Sequence, residues 1–418
     1  MGSIITLGIK KFEIDWGKNF SFNNHSKLYT EKDFESKVKY YYVSDEDELT
    51  VEEKEGASSK LKNVKERLNL LGYNMYNLKN MYDEGLKDYI YYNGDDCVLS
   101  YEDFYEFIIS LDLKKIDITK VIIHSEYDVD EGFDMGEYFT KCISKDKEIS
   151  TRLKSIIRKV SFPDFIIGDY FETIDPYVTL RILAENEKNL DYDVEWRYAD
   201  VVESGGARKK ELYEELNNSD RITIVTEGST DSFIIKKTIS ELYPNISDFF
   251  TFIDMKENYP FTGVGNLCNF CQGLDKINVI NNIMVVFDND TAGLISFEKA
   301  IKNCKSKNIC ITHLPNMDDF KRIKACGPNG EIYCDINGKA VAIECFLDFK
   351  SVNFDPCIRW STFYENVNKY QGSLINKDAY TKEFKEAKLT NDSYDIKKLL
   401  FLIDYLIDEF QKATIKIA

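Results

Sequence analysis

Histidine is nearly absent: the 418 residues hold only His25, His124 and His313. Serine- or cysteine-based nucleophilic catalysis normally sets an imidazole beside the nucleophile, so a His-based triad is not expected and each histidine reads as a structural or surface residue. Long hydrophobic runs are absent as well, none nearing the ~20 residues that span a bilayer. The start, Met1-Gly-Ser-Ile-Ile-Thr-Leu, lacks the basic region and the length of a secretory leader. The expectation is a cytoplasmic protein with no membrane partner. No Gly-x-x-x-x-Gly-Lys-Ser/Thr occurs, which excludes a P-loop ATPase module from this sequence. Positive charge is in deficit, 54 Lys and Arg against 72 Asp and Glu, a net charge of −18. That balance opposes broad electrostatic binding to nucleic acid and leaves room only for local clusters. The visible ones are Arg208-Lys209-Lys210, Lys236-Lys237 and Lys321-Arg322-x-Lys324, and each also reads as ordinary solvated surface.

What is present describes a globular chain of two to four domains, since this length exceeds one ordinary core. The 27 Tyr and 27 Phe read as core packing. Ten cysteines in an intracellular chain are expected to be reduced. Cys268-x-x-Cys271 is the one close pair. Zinc would need two further ligands, with Cys326 and Cys334 the nearest, but their spacing is irregular. Buried free thiols are the simpler reading, and the sequence assigns Cys268 and Cys271 no role.

Residues 221–315 organise the rest. The apolar run Ile222-Thr-Ile-Val-Thr ends in Glu227, followed by Gly228-Ser229-Thr230-Asp231 and a helical pattern. The run Ile283-Met-Val-Val-Phe ends in Asp288-Asn289-Asp290, followed by Thr291-Ala292-Gly293 and another helix. Short β-branched runs alternating with helices imply a parallel α/β sheet, and ligands of such sheets sit beyond the carboxyl ends of the strands. Glu227, Asp288 and Asp290 fall at those ends. Carboxylates converging there repel one another unless a cation lies between them, and hard oxygen donors suit Mg²⁺ or Mn²⁺. Each half alone also reads as a helix cap or a turn.

Glu227-Gly228-x-x-Asp231 followed by Asp288-x-Asp290-x-x-Gly293 resembles the Toprim domain of topoisomerases, primases and OLD-family nucleases. The resemblance implies a Toprim-type Rossmann-like parallel sheet of about four strands over residues 219–350. It also implies phosphodiester chemistry on DNA or RNA with Mg²⁺ or Mn²⁺. Glu227, Asp288 and Asp290 would be metal ligands, Asp231 would be a further catalytic residue, and Gly228 would let the backbone pass close to the site. Strands are expected at 222–226, 249–253, 283–287 and 309–314. A helix is expected at 230–243, with Phe233, Ile234, Ile235, Ile239 and Leu242 toward the sheet. Gly263-Val264-Gly265-Asn266-Leu267 reads as a tight turn whose amides at Gly265 and Asn266 could meet a phosphate. Lys321 and Arg322 are weaker candidates for substrate contact. Asp318, Asp319 and Glu344 read as surface acids more readily than as additions to a metal shell.

Residues 1–125 read as a small α+β domain. Strands are expected within 4–15 and at 37–43, a helix at 58–71, and a capping box at Ser100-x-x-Asp103. Asp15-Trp16-Gly17-Lys18-Asn19, His25-Ser26-x-Leu28 and Arg67-Leu-Asn-Leu-Leu-Gly72-Tyr73 resemble the N-terminal domain of HEPN/Toprim-type proteins. HEPN ribonucleases place Arg four to six residues before His, and no histidine here has an arginine so placed, so that chemistry is not expected. Residues 126–218 read as a mainly helical connection, with helices at 151–160 and 176–190, the latter opening on Asp175-Pro176. Residues 351–418 read as a helical extension with an amphipathic helix near 396–410.

The missing topoisomerase, zinc-module and ATPase features leave a standalone nuclease similar to bacterial antiphage defence effectors. Self-association or a separate regulatory protein is expected to control it. Two other readings stand beside it: a non-catalytic Toprim binding or assembly module in DNA repair or recombination, and a regulatory subunit whose acids bind metal only structurally.

Overall fold

The computed structural model describes residues 3–10, 12–43, 49–114, 151, 155, 170, 172–253, 264–327, 330–391 and 393–414. His124, Gly263 and nearly all of the helix expected at 151–160 lie outside them. The chain divides into two compact units, Met1–Glu215 and Leu216–Ile415. Among the described residues no helix is long and apolar enough to cross a membrane.

In the first unit β1 (Ile4–Ile9) and β2 (Phe12–Lys18) form an antiparallel pair, as do β3 (Ser36–Val43) and β4 (Leu49–Lys60). Helices α1 (Leu61–Leu70), α2 (Leu78–Gly85), α3 (Lys87–Asn93) and α4 (Tyr101–Ile109) follow. In α1, Leu61, Val64 and Leu68 recur at helical spacing and are fully buried. The expected capping box opens α4: Ser100 Oγ accepts the Asp103 N–H at 3.1 Å and donates to the Asp103 carboxylate at 2.9 Å. Asp175 caps α5 (Pro176–Leu183), with proline in its first turn. This helix stops at Leu183, short of the expected 190. Then come β5 (Asp193–Arg197), α6 (Ala199–Glu203) and α7 (Lys209–Leu212). Among the described residues the sheet order is β2-β1-β5-β4-β3. Thus β5, inside a stretch read as mainly helical, fills the middle of the N-terminal sheet. Its Val194 and Trp196 are buried on one face, a pattern too short to register against the helices around it.

In the second unit β6 (Ile222–Thr226) leads to α8 (Ser229–Leu242) and β7 (Phe250–Phe252). Next come α9 (Val264–Lys276), β8 (Asn282–Phe287), the two-residue β9 (Asn289–Asp290), α10 (Thr291–Asn303) and β10 (Ile309–His313). Strands β10-β8-β6-β7 form a four-stranded sheet among the described residues, every pairing parallel. Both central strands are nearly continuous buried runs, as a sheet covered on both faces requires. On α8, Ile234, Ile235 and Ile239 are buried, whereas Phe233 is exposed. Phe233 turns to the ring of Phe384, 6.1 Å away, and not to the sheet.

Beyond β10 lie β11 (Ile323–Gly327), β12 (Gly330–Cys334), β13 (Ala340–Val341), β14 (Cys357–Tyr364), β15 (Lys369–Leu374), α11 (Lys377–Glu386) and α12 (Lys397–Ala413). The extension expected to be helical therefore opens with a β-hairpin, which joins a second sheet of order β12-β11-β14-β15. The amphipathic helix is α12, which buries Leu399, Leu402, Ile403, Leu406 and Phe410. Its Tyr405 hydroxyl lies 3.2 Å from Thr312 of β10.

Candidate active site

Strands β6 and β8 are hydrogen-bonded neighbours with Thr226 opposite Val286. Glu227 and Asp288, each one residue past its strand, therefore emerge side by side. Glu227 Oε1 accepts the Asp288 backbone N–H at 3.2 Å. Asp231 sits in the first turn of α8 and accepts the Gly228 N–H at 2.9 Å. Asp290 caps α10 by accepting the Gly293 N–H at 2.7 Å. Its other oxygen accepts from the Gln371 side-chain amide, whose own oxygen accepts the Ala292 N–H at 3.0 Å. Asn289 is buried between them and accepts the Gly338 N–H at 3.0 Å.

The glycines of the two motifs differ. A Cβ on Gly293 would lie 2.3 Å from the Asp288 carbonyl oxygen, so the helix can approach the strand end only without a side chain. Gly228 has the extended backbone any residue adopts, and its nearest neighbour would be Asp231 Oδ2 at 3.4 Å. The expected close passage of the backbone is therefore met at Gly293 and not at Gly228.

The four acids are half-buried, so they keep some solvent access and are not sealed in the core. Burial pushes Glu227 up to about 7, and Asp290 adds to the rise. Burial and then Glu344 push Asp231 up to about 7. Asp288 is raised most firmly, by burial first and then by Asp231, Glu227, Asp290 and Glu344. Asp290 is raised by burial and held down by its N–H donors and Gln371. Glu344, which the sequence reads as a surface acid, is only 3% exposed and belongs to this group. Lys377 at the start of α11 is the cation that tempers it, with Nζ 3.3 Å from the Glu344 carboxylate. Among the described residues no three His, Cys, Asp or Glu are placed as a group that could hold a metal ion. The donor set is nonetheless all oxygen, crowded and short of positive charge, which suits a hard divalent cation.

Other candidates fall away from this cluster. Gly265 and Asn266 are exposed in the first turn of α9, where a tight turn was expected. Lys321 pairs with Asp318 at 2.6 Å, and the Arg322 guanidinium lies 5.5 Å over the Tyr333 ring. Asp319 is exposed. The other basic clusters are largely matched internally: Lys209 pairs with Glu35 and Glu55, and Lys237 donates to the carbonyls of Phe384, Lys385 and Ala387 at the end of α11. Cys268 and Cys271 are buried. His25 and His313 are partnered structurally, His25 by Asp15 at 2.8 Å and His313 by the Leu314 carbonyl at 2.8 Å. Gln371 and Lys377 stand in the tail, where no spacing ties them to Asp290 or Glu344; only the tertiary fold joins them.

The family model described as HEPN/Toprim N-terminal domain 1 matches residues 1–220. No curated protein matches the chain, and no solved structure does. The match covers the whole first unit, β5 included, and ends just before β6, so the acid cluster lies outside it. Spanning 220 of 418 residues, the match shows that the chain belongs to the HEPN/Toprim N-terminal domain 1 family.

Proposed function

We propose that the second unit is a Toprim-type domain and that the chain is a divalent-metal-dependent nuclease, cleaving phosphodiester bonds of DNA or RNA. The observation that carries this reading is the convergence of Glu227, Asp231, Asp288, Asp290 and Glu344 where two central parallel strands end, with Lys377 as their counter-charge. Perturbed carboxylates gathered beyond the carboxyl ends of parallel strands are candidates for a functional site. Glu227, Asp288 and Asp290 are the ligands for Mg²⁺ or Mn²⁺. Such an ion neutralises phosphate charge and stabilises the attacking or leaving oxygen. Where it does not hold the ion, Glu227, raised to about 7, can instead hold or release a proton near neutrality, as a general acid or base must. Gln371 and the Gly293 N–H fix the Asp290 carboxylate. Asp231 holds the entry of α8 and acts on Asp288 through its charge. The role is that of an antiphage defence effector in the cytoplasm, controlled by self-association or by a separate protein.

A non-catalytic binding or assembly module is the second reading. Its support is that Asp231 and Asp290 each hold a helix start. One experiment separates the two. Wild type, Glu227→Gln, Asp288→Asn and Asp290→Asn are incubated with plasmid DNA, single strands and tRNA in Mg²⁺ or Mn²⁺, and melted in parallel. Each variant is expected to fold and to lose cleavage by about 10²–10³-fold, the scale of removing one electrostatic stabiliser. Full cleavage by folded Asp288→Asn protein would remove that residue from the site, and no cleavage by wild type on any substrate favours the module.

A further inference from the structure

We propose that the β14–β15 hairpin is a stacking platform for single-stranded nucleic acid, delivering it to the acid cluster; this rests on the nuclease reading above. Among the described residues of the second unit Phe363 and Tyr370 are two of the exposed large aromatic side chains. The hairpin turns three aromatic side chains toward one face. Trp360 pairs in register with Gly372, and Phe363 with Tyr370. A bulge between Trp360 and Thr362 inserts one residue, which returns Phe363 to the face of Trp360. The rings form a row: Trp360 to Tyr370 is 6.2 Å and Tyr370 to Phe363 is 4.8 Å between centroids. Phe363 is 43% exposed and Tyr370 49%. Trp360 lies in a trough of flanking glycines. A Cβ on Gly327 would meet its ring at 3.1 Å and one on Gly372 at 2.9 Å. A Cβ on Gly372 would also meet Ile358 Cγ2 at 2.6 Å and Ala340 Cβ at 2.9 Å, so the indole is closely packed on this side.

The strand that carries the row also meets the acid cluster, through its backbone and through the alternate face at Gln371. Tyr370 accepts the Thr291 hydroxyl at 2.8 Å through its carbonyl. The next residue, Gln371, holds Asp290. Charge complements it too. Lys369 is exposed at the end of β15, and Lys339, whose backbone bridges that of Asp290, donates its ammonium to the Asp335 carbonyl at 3.0 Å. Gly338 lies between them: a Cβ there would be 3.8 Å from Lys369 Nζ. Neither Lys339 nor Lys369 has a carboxylate partner among the described residues, whereas Lys321 and Lys324 do. Two ammonium groups that lack a carboxylate partner among the described residues, beside an aromatic row, fit phosphates and bases of one strand. Aromatic platforms bind single strands because their bases expose π-faces, which a duplex hides.

The test is fluorescence anisotropy of the full chain with a 5′-labelled 20-nucleotide oligo(dT) and with a duplex of equal length, in EDTA so that no cleavage intervenes. The single strand should bind more tightly than the duplex. Phe363→Ala and Tyr370→Ala should each weaken single-strand binding by roughly 5–100-fold, the range for losing one stacked base. Tyr370→Phe should bind as wild type. Melting should be unchanged in all three, since both side chains are exposed. Wild-type affinity in the Phe363→Ala/Tyr370→Ala double variant overturns the proposal, as does a duplex bound as tightly as the strand. A self-associated wild type that falls to monomer in the double variant while still binding oligo(dT) would assign the face to a second copy instead. Binding and cleavage are read apart. If Asp288→Asn protein still cleaves, the nuclease reading fails even where the platform stands; if binding fails while acid variants lose cleavage, only the platform is lost.

Discussion

The two units bury charge in opposite ways. In the first, the buried cations among the described residues are held by carboxylates, carbonyls or amides, with only Arg197 Nη1 of these guanidinium groups left without a hydrogen bond. Arg67 donates to the Lys27 carbonyl at 2.8 Å, and Arg181 to Asn69 at 2.7 Å and to the Glu185 carboxylate. Arg197 is held by Glu195 and by the carbonyls of Lys39 and Lys10. His25 lies between Asp15 and the Tyr177 hydroxyl, at 2.8 and 3.2 Å. In the second unit Glu227, Asp231 and Asp288 gather near the ends of β6 and β8 and are raised by burial and then by neighbouring carboxylates, Asp290 and Glu344 among them, with the ammonium of Lys377 beside Glu344. Matched buried charge is what a fold needs to hold its shape, because a lone buried charge costs several kcal/mol. Like charges kept together weaken the fold, so they point to something outside the chain that resolves them. The first unit reads as architecture and the second as a site.

The largest contrast is expected from removing one member of each network. Arg197→Ala strands Glu195, which burial already raises, and should cost about 3–5 kcal/mol, the usual cost of breaking a buried pair. Asp288→Asn relieves repulsion and should leave stability unchanged or higher. Thermal and urea unfolding of the two variants measure both. Equal losses would mean that the acids are structural and would dissolve the distinction between the units.

A smaller effect should appear with pH. Glu227 and Asp231, both at about 7 in the folded chain, start from ordinary values of 4.5 and 3.8. Between those values the metal-free folded state keeps protons that the unfolded state has released, so stability is greatest below pH 4 and falls as pH rises toward 7, then levels off. Glu227→Gln removes its share of that slope. Melting temperatures in EDTA at pH 5, 6, 7 and 8 should therefore show the variant gaining on wild type as pH rises, by a few degrees at most. A difference that does not change with pH would show that Glu227 is not strained by its neighbours.

Sequence made the centre of the second unit legible and left its rim obscure. Strand β6 lies at the residues expected, and β8, β10 and α8 fall within one residue of them at either end. Unbroken β-branched runs closed by an acid or a glycine carry that information locally. The placement of Glu227 beside Asp288 follows from the same pattern. Glu344, Gln371 and Lys377 did not show, because what joins them to the acids is tertiary: Gln371 reaches Asp290 across 81 residues. In the first unit β4 was missed for another reason. Its Val51-Glu-Glu-Lys-Glu55 run is rich in residues that strands disfavour, and pairing with β3 and β5 overrides that preference. The helix expected from residue 58 accordingly starts at Leu61, where the strand ends.

The smallest effect tests where the site stops. Gly265 was a candidate phosphate contact on the premise of a tight glycine turn, yet it lies in the first turn of α9. A Cβ there would meet nothing within 4 Å. Glycine in a helix gives up backbone entropy that alanine does not, so Gly265→Ala should raise stability by about 0.4–1 kcal/mol, if less in the first turn than mid-helix. Cleavage and oligo(dT) binding should stay at wild-type levels, because no described contact ties this turn to the acids or to the hairpin. The same substitution at Gly293 would drive a methyl group into the Asp288 carbonyl, and that contrast sets the scale. A stabilised Gly265→Ala protein with unchanged binding would limit the functional surface to the ends of β6 and β8 and the hairpin beside them. A loss of cleavage or binding without loss of stability would extend it to α9, and the comparison between a site and its supporting architecture would have to be redrawn inside the second unit.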